Sequence, residues 1–504
     1  MIKKSTMIIK NLLLFFCKAS LSFLIILPTY SYSQTLSRLN IISELNIGES
    51  EQVVLTNGEI VKLFFKEVSI ERDSVNGAVR NAMVKVEVDE EEITLGAGNY
   101  HLPVKVGKVQ IDCPVVKEFT SGRYYRYDGI LPKDARFRLW PGDSPFIQPG
   151  TFGYPLNQVF MASRTQSQNE LTGVGWAENI KSTNTGYHAT HDFGGAEGMD
   201  EIFAATDGLV VSSKKEILDG YEDLPGDVRP DVIWIVDDRG WYYRYSHLNS
   251  IEPEINSGAR VKLGQKIGYM GKQGGSGGWV HLHFGVHHKN CETGKWEVED
   301  AYAYLWEAYI RKYGLKVKAI ARPRLIAWTG QKIKLNGTKS KSMAGEIVSY
   351  EWIFTDGTTA TGSVHEKIYN TAGEYSEILK VTDSQGNVDY DFYYIKVFDR
   401  QFPENQIPGI HPVFYPTMNI KAGDPVTFLV RTFGSKAGKE TWDFNDGTEK
   451  VVVNSGVVKR QTQNDVKYAK TVHAFSKPGD YVVRVKRTNE FGYPAIGHLY
   501  VKVY

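Results

Sequence analysis

The chain has 504 residues, 42% of them hydrophobic and 23% charged, with 59 basic against 58 acidic side chains and a net charge of +1. That length exceeds what one hydrophobic core organises and predicts about three or four domains. The balanced charge supplies no global field for nucleic acid or an anionic membrane surface, so neither is expected as a partner.

The first 33 residues differ from the rest. Lys3, Lys4 and Lys10 lead into LLLFF (12–16) and LSFLIIL (21–27), and SYS follows at 31–33. A basic start, an apolar middle and small residues at the end predict a secretory signal cut after Ser33. The mature protein is then exported: periplasmic, at the cell surface or secreted. Lys18 divides the apolar region, and neither run approaches the ~20 residues of a membrane span. Cys17 follows Phe15 and Phe16 rather than the small residues that precede a lipidated cysteine. After cleavage only Cys113 and Cys291 remain, too few for a disulfide framework or a zinc–thiolate site. Spacing does not show whether they pair; a buried thiol in VQIDCPVV and a loop thiol is the simpler expectation.

From 34 to 140, short runs alternate apolar and polar residues (QVVL, IVKLFF, AMVKVEV, KVQIDCPVV) between turns such as NG at 57–58 and GAGN at 96–99. This predicts an N-terminal antiparallel β-domain with no cluster of titratable residues. A Pro/Gly-rich seam, WPGDSPFIQPGTFGYP (140–155), opens a second region at 141–314. Within it VIWIV (232–236), DDRG and WYYRY (241–245) read as a hairpin. The region closes on DAYAYLWEAYIRKYG (300–314), whose apolar spacing predicts a helix with Asp300 at its start and Gly314 at its end. The remainder contains a repeat. WIFTDG (352–357) returns as WDFNDG (442–447), GEY (373–375) as GDY (479–481), and TDSQG (382–386) as TNEFG (488–492). The later copy carries extra residues, best placed in VNSGVVKRQTQNDVKY (453–468). Two stacked β-sandwiches, 315–400 and 401–504, are expected.

The chemistry concentrates in three segments of the second region. HLHFGVHH (281–288) holds four of the chain's twelve histidines. On a strand, His281, His283 and His287 share one face and His288 points away. GYHATHDFGG (186–195) places His188 and Asp192 four residues apart, ~13 Å on a straight strand. The glycines at 186, 194 and 195 permit the bend that would bring them together. His191 competes with His188 but has no acid at the same spacing. YRYSHL (243–248) puts His247 just beyond an aromatic strand. Two histidines and a carboxylate with an open position is the usual donor set of catalytic zinc, whereas structural zinc prefers four protein ligands.

In order and spacing, HATHD, YSHL and HLHFGV resemble the lysostaphin/LytM-type zinc metallopeptidases, many of which cleave peptide cross-links in bacterial cell walls. IFAATDGLVV (202–211) and INSGARVKLGQKIGYMGKQGGSGGWVHLHF (255–284) resemble the intervening family text, so the likeness covers about 150–300. It implies that His188, Asp192 and His283 bind Zn2+, that His281 is the general base, and that His247 assists at the oxyanion. Thr190 stands where the family usually has glycine, and GGAEGMDE (194–201) is longer than the family loop. His287 and His288 have no counterpart in the motif and are expected at the surface or behind the ligands. Both C-terminal repeats resemble the polycystic kidney disease (PKD) type of immunoglobulin-like domain.

The expected fold class is mainly β and multidomain: an antiparallel metallopeptidase core with a C-terminal helix, an N-terminal β-domain and two C-terminal β-sandwiches. The function that follows is an exported zinc endopeptidase acting on peptidoglycan stem peptides or cross-bridges, with the PKD-like pair docking on glycan or protein. A catalytically inactive surface scaffold and a secreted protease of extracellular proteins are the competing readings.

Overall fold

The computed structural model describes residues 36–98, 100–120, 131–166, 172–174, 185–290, 293–457 and 467–504. The predicted signal segment, Cys17, Cys291 and most of the extra residues of the second repeat lie outside them. The described chain is mainly β, with one helix longer than a single turn, Tyr302–Tyr313. Among the described residues no helix is long and apolar enough to cross a membrane.

Residues 41–141 form two four-stranded antiparallel sheets. Strict alternation along Val79–Val88 turns Val84, Val86 and Val88 into a core shared with Val61, Leu63, Phe65, Phe137 and Leu139. Cys113 is a buried free thiol in that core, and burial pushes its pKa well up.

The central sheet has eight strands. It runs in the order His191–Gly194, His281–Lys289, Tyr242–Ser246, Ile233–Val236, Gly208–Ser213, with three short strands at its margins. The hairpin read from sequence is present: Ile233 pairs with Tyr245 and Val236 with Tyr242. Asp237 fastens its turn by accepting hydrogen bonds from the backbone N–H groups of Arg239 and Trp241, both at 3.0 Å. Beneath the sheet, Phe193, Tyr243, Tyr245, Leu282 and Phe284 pack on Tyr302, Tyr304 and Trp306 of the helix. Gly314 closes the helix in the left-handed conformation (φ 66°) and donates to Ile310 O. At the other end the Asp300 carboxylate accepts from Tyr302 N at 2.8 Å.

The C-terminal repeats are joined differently from two stacked sandwiches. Gly373–Asp383 of the first pairs in parallel with Pro494–Val503 of the second, giving one nine-stranded sheet across both copies. The repeated residues occupy equivalent places. Trp352 and Trp442 are both fully buried. Tyr375 donates to Thr371 O at 2.8 Å and Tyr481 to Lys477 O at 2.9 Å.

Buried arginines lock these parts together. Arg138, from the N-terminal sheets, lies between Asp112 (2.6 Å) and Glu299 (2.8 Å). Arg322, near the start of the first repeat, donates to Ser163 O at 2.7 Å and pairs with Asp391 at 3.1 Å. The segment around Val159 and Ala162 inserts into the second sandwich: Ala162 packs in its core and accepts from Tyr500 N at 2.9 Å. The N-terminal sheets dock at the His288 end of the strand His281–Lys289. There Arg38 reaches His288 (3.2 Å) and Glu299 (2.9 Å), and Arg136 reaches Glu297 (3.2 Å).

Candidate metal centre

The five residues singled out from sequence converge at the His281 end of that same strand. His191–Gly194 pairs antiparallel with it, placing Asp192 opposite His283 and Gly194 opposite His281. On the other side Ser246 stands opposite His283, so His247, the next residue, enters the same cluster. His188 lies just before its strand begins, where the chain bends back. Its Nε2 sits 3.5 Å from Asp192 Oδ2 instead of a straight strand's ~13 Å.

Asp192 is the hub. Its Oδ1 takes a hydrogen bond from His283 Nδ1 at 2.9 Å and lies 3.7 Å from His281 Nε2. Burial pushes the Asp192 pKa up, but His188, His281 and His283 around it outweigh burial and hold the carboxyl well below the usual range. His188 and His283 rings meet edge to face at 5.2 Å, and His247 lies 4.7 Å from His281 and 5.9 Å from His283. Burial drives His281 down to about 4 and His283 and His247 to about 3, so all three are neutral near pH 7, the form that ligates metals or accepts protons.

Two overlapping donor groups have ligand atoms within 4.8 Å of one another: His188, Asp192 and His283, and His247, His281 and His283. The first is two imidazoles and a carboxylate without thiolates, which fits a catalytic zinc with an open position. Each remaining histidine is oriented through Nδ1. His281 Nδ1 faces Trp279 O at 3.1 Å and His247 Nδ1 faces Gln273 O at 2.7 Å. A carbonyl there fixes the neutral tautomer with its proton on Nδ1 and a lone pair on Nε2.

His191 is not part of the centre. Strand alternation turns it to the opposite face, where it is buried and stacked on Tyr302 at 6.2 Å and 4°. Thr190, the departure from the family pattern, hydrogen-bonds His188 Nε2 at 3.1 Å. In the longer loop after Gly194, the Asp200 carboxylate accepts from Ala196 N at 2.6 Å.

Of the two places expected for it, His287 is not at the surface. It shares the site face, as alternation requires, but is only 3% exposed and packs on Trp234 at 5.2 Å. Gly285 makes this possible, since a Cβ there would fall 2.8 Å from the His287 ring. His288 is a partly buried contact to Arg38 and Glu297 (3.3 Å).

Sequence reasoning missed Asp231, whose Oδ2 lies 3.7 Å from His247 Nδ1 and accepts from His247 N at 3.2 Å. Those bonds hold His247 at φ 69°, a conformation costly for a residue with a Cβ. Extending the hairpin register from Ile233 and Tyr245 by two residues pairs 231 with 247, so the signal was present in the spacing. Trp279 was also missed; it stacks on His281 at 3.9 Å and 14°.

Comparison with known proteins agrees with this geometry. The family model described as Peptidase family M23 matches residues 186–294, and that described as PKD domain matches 318–397. The chain is 35% identical over 82 residues to "Collagenase ColA" of Clostridium perfringens, covering 16% of this chain and 7% of that protein. It is 42% identical over 57 residues to "Microbial collagenase" of Vibrio alginolyticus, covering 11% and 7%. The chain thus spans only a small fraction of these relatives. The crystal structure of the PKD1 domain from the Vibrio cholerae metalloprotease PrtV is 33% identical, covering 16% of this chain and 93% of that one, with a TM-score of 0.14. With the donor cluster and the matched segments together, the chain carries a peptidase family M23 domain at 186–294 followed by a PKD domain at 318–397.

Proposed function

We propose that this protein is an exported zinc metalloendopeptidase that hydrolyses peptide bonds in peptidoglycan stem peptides or cross-bridges. The observation that carries the reading is the convergence of His188, Asp192, His247, His281 and His283, from three chain segments, on one buried cluster within a peptidase family M23 match. His188, Asp192 and His283 hold the metal. Bound there, zinc lowers the pKa of water to ~7 and polarises a carbonyl. His281, neutral and with its Nδ1–H donating to Trp279 O, receives the water's proton at Nε2. His247, held through Nδ1 by Gln273 O and flanked by the Asp231 carboxylate, stands beside His281 and assists at the developing oxyanion. Asp231 fixes the position of His247 by accepting from its backbone N–H.

The N-terminal β-domain (34–140), the peptidase domain (141–314) and the PKD-like pair (315–400 and 401–504) divide the labour in this proposal, with the PKD-like pair docking on glycan or protein. The collagenase matches favour a second reading, a secreted protease of extracellular proteins. Digesting purified cell-wall sacculi and denatured collagen in parallel, with products identified by mass, separates the two. New peptide termini from sacculi alone support the cell-wall assignment, and cleavage of collagen alone replaces it.

A further inference from the structure

The loop 271–280, between the strands Lys266–Met270 and His281–Lys289, carries groups that orient both non-ligand histidines of the cluster. Gln273 O receives His247 Nδ1, while Trp279 stacks on His281 and its carbonyl receives His281 Nδ1. Yet this segment, GKQGGSGGWV, contains five glycines, and Gly274, Gly277 and Gly278 all have positive φ (61°, 67° and 78°). Such a loop has high conformational entropy and needs outside contacts to hold one geometry. Within the peptidase segment, the Lys272 ammonium pairs with Glu197 at the loop's base, and Ser276 Oγ donates to Lys272 O at 2.6 Å.

Its far end is held by the second C-terminal sandwich. The Arg431 guanidinium donates to Gly278 O, and Arg431 is fully buried. The Tyr468 hydroxyl accepts from Val280 N at 3.1 Å. His411 meets Trp279 edge to face at 5.4 Å and Phe433 at 4.7 Å, and Trp279 and Phe433 form a small apolar cluster of their own. Tyr468 is the last residue of the stretch that distinguishes the second repeat from the first. The same sandwich also receives the segment around Val159 and Ala162. There Thr165 O accepts from Gly194 N at 2.8 Å, at the end of the strand carrying Asp192.

We infer that the second C-terminal sandwich is an internal clamp of the metal centre, and that Trp279, held by His411, Phe433, Arg431 and Tyr468, is the positioning residue that aims His281. In this role the sandwich is a fixed part of the peptidase site, in contrast to a freely tethered docking module. The catalytic readout of this inference rests on the peptidase reading; its structural readout does not.

The test uses the full chain with conservative variants. In Tyr468→Phe the Val280 amide loses its acceptor, and its hydrogen exchange is expected to rise about tenfold, while amides of Ile233–Val236 and Tyr242–Ser246 keep wild-type protection. In Trp279→Ala, kcat is expected to fall by about 10²-fold at unchanged KM and metal stoichiometry, as for a misaimed group, and Trp279→Phe to recover most of it. Unchanged Val280 exchange in Tyr468→Phe overturns the clamp, as does wild-type kcat in Trp279→Ala. If the wild type cleaves nothing, the peptidase reading fails and the exchange experiment alone decides the clamp. If Trp279→Ala does not fold, Tyr468→Phe, which removes a single hydroxyl, decides it.

Discussion

Replacing Asp192 by asparagine removes one negative charge from among three imidazoles while keeping the side chain's size. In the structure its oxygens lie 2.9 Å from His283, 3.5 Å from His188 and 3.7 Å from His281, so the substitution acts on all three contacts at once. Losing even an outer-shell partner weakens metal sites by about 10–100-fold, so about 100-fold is a floor for a ligand. At zinc 1,000-fold above the wild-type dissociation constant, binding stabilises the folded state by about 4.1 kcal/mol. A hundredfold weaker site leaves a tenfold excess of zinc and about 1.4 kcal/mol. The zinc-dependent gain in Asp192→Asn should therefore shrink by about 2.7 kcal/mol. Zinc competition with a chromophoric chelator gives the two dissociation constants, and thermal melts with and without zinc give the two gains. Equal zinc-dependent gains in wild type and variant would refute the assignment of Asp192 as the hub.

Further outcomes follow from the same geometry. His281→Ala should keep one zinc per chain and lose about 10²–10⁴-fold in turnover, checked by metal analysis beside steady-state kinetics; normal turnover would remove His281 from its role. Asp200 is buried and its pKa is pushed up to about 7 by that burial, against the single hydrogen bond from Ala196 N. Its folded state thus holds a proton that the unfolded state releases near 3.9, and stability falls as pH rises from about 4 to 7, by up to about 4 kcal/mol. Asp200→Asn should be close to wild type at pH 4 and more stable at pH 7, as read by denaturant unfolding at the two pH values; a pH-independent difference would contradict this. Arg138→Ala leaves Asp112 buried without a cation and Glu299 with Arg38 alone, a loss of about 3–5 kcal/mol. Differential scanning calorimetry should show a large drop in the unfolding temperature; an unchanged transition would contradict this.

The central sheet and its site were readable because their signals are local. Periodicity gave the strand faces, the DDRG turn gave the hairpin, and alternation on HLHFGVHH separated His281, His283 and His287 from His288. Alternation also decides against His191, because adjacent residues of a strand cannot both face the metal. What stayed hidden depends on contacts between distant segments. The burial of His287 arises from Trp234 and the missing Cβ of Gly285, neither of which marks it in the sequence. The fusion of the two C-terminal repeats into one sheet turns on a parallel contact between Glu374 and Ala495, and periodicity within each repeat carries no information about it. The clamp on Trp279 joins residues more than 130 positions apart, one of which, Tyr468, lies in a stretch visible in the sequence only as an excess over its sister repeat.

The most direct test of the central claim is cleavage of purified cell-wall sacculi by the full-length protein, metal-stripped and then titrated with zinc. The account predicts no cleavage after stripping, restoration that saturates at about one zinc per chain, and products whose masses show a peptide bond opened by one water. Full activity in the stripped protein, or restoration in a His188→Ala, Asp192→Asn double variant that binds no zinc, would contradict it.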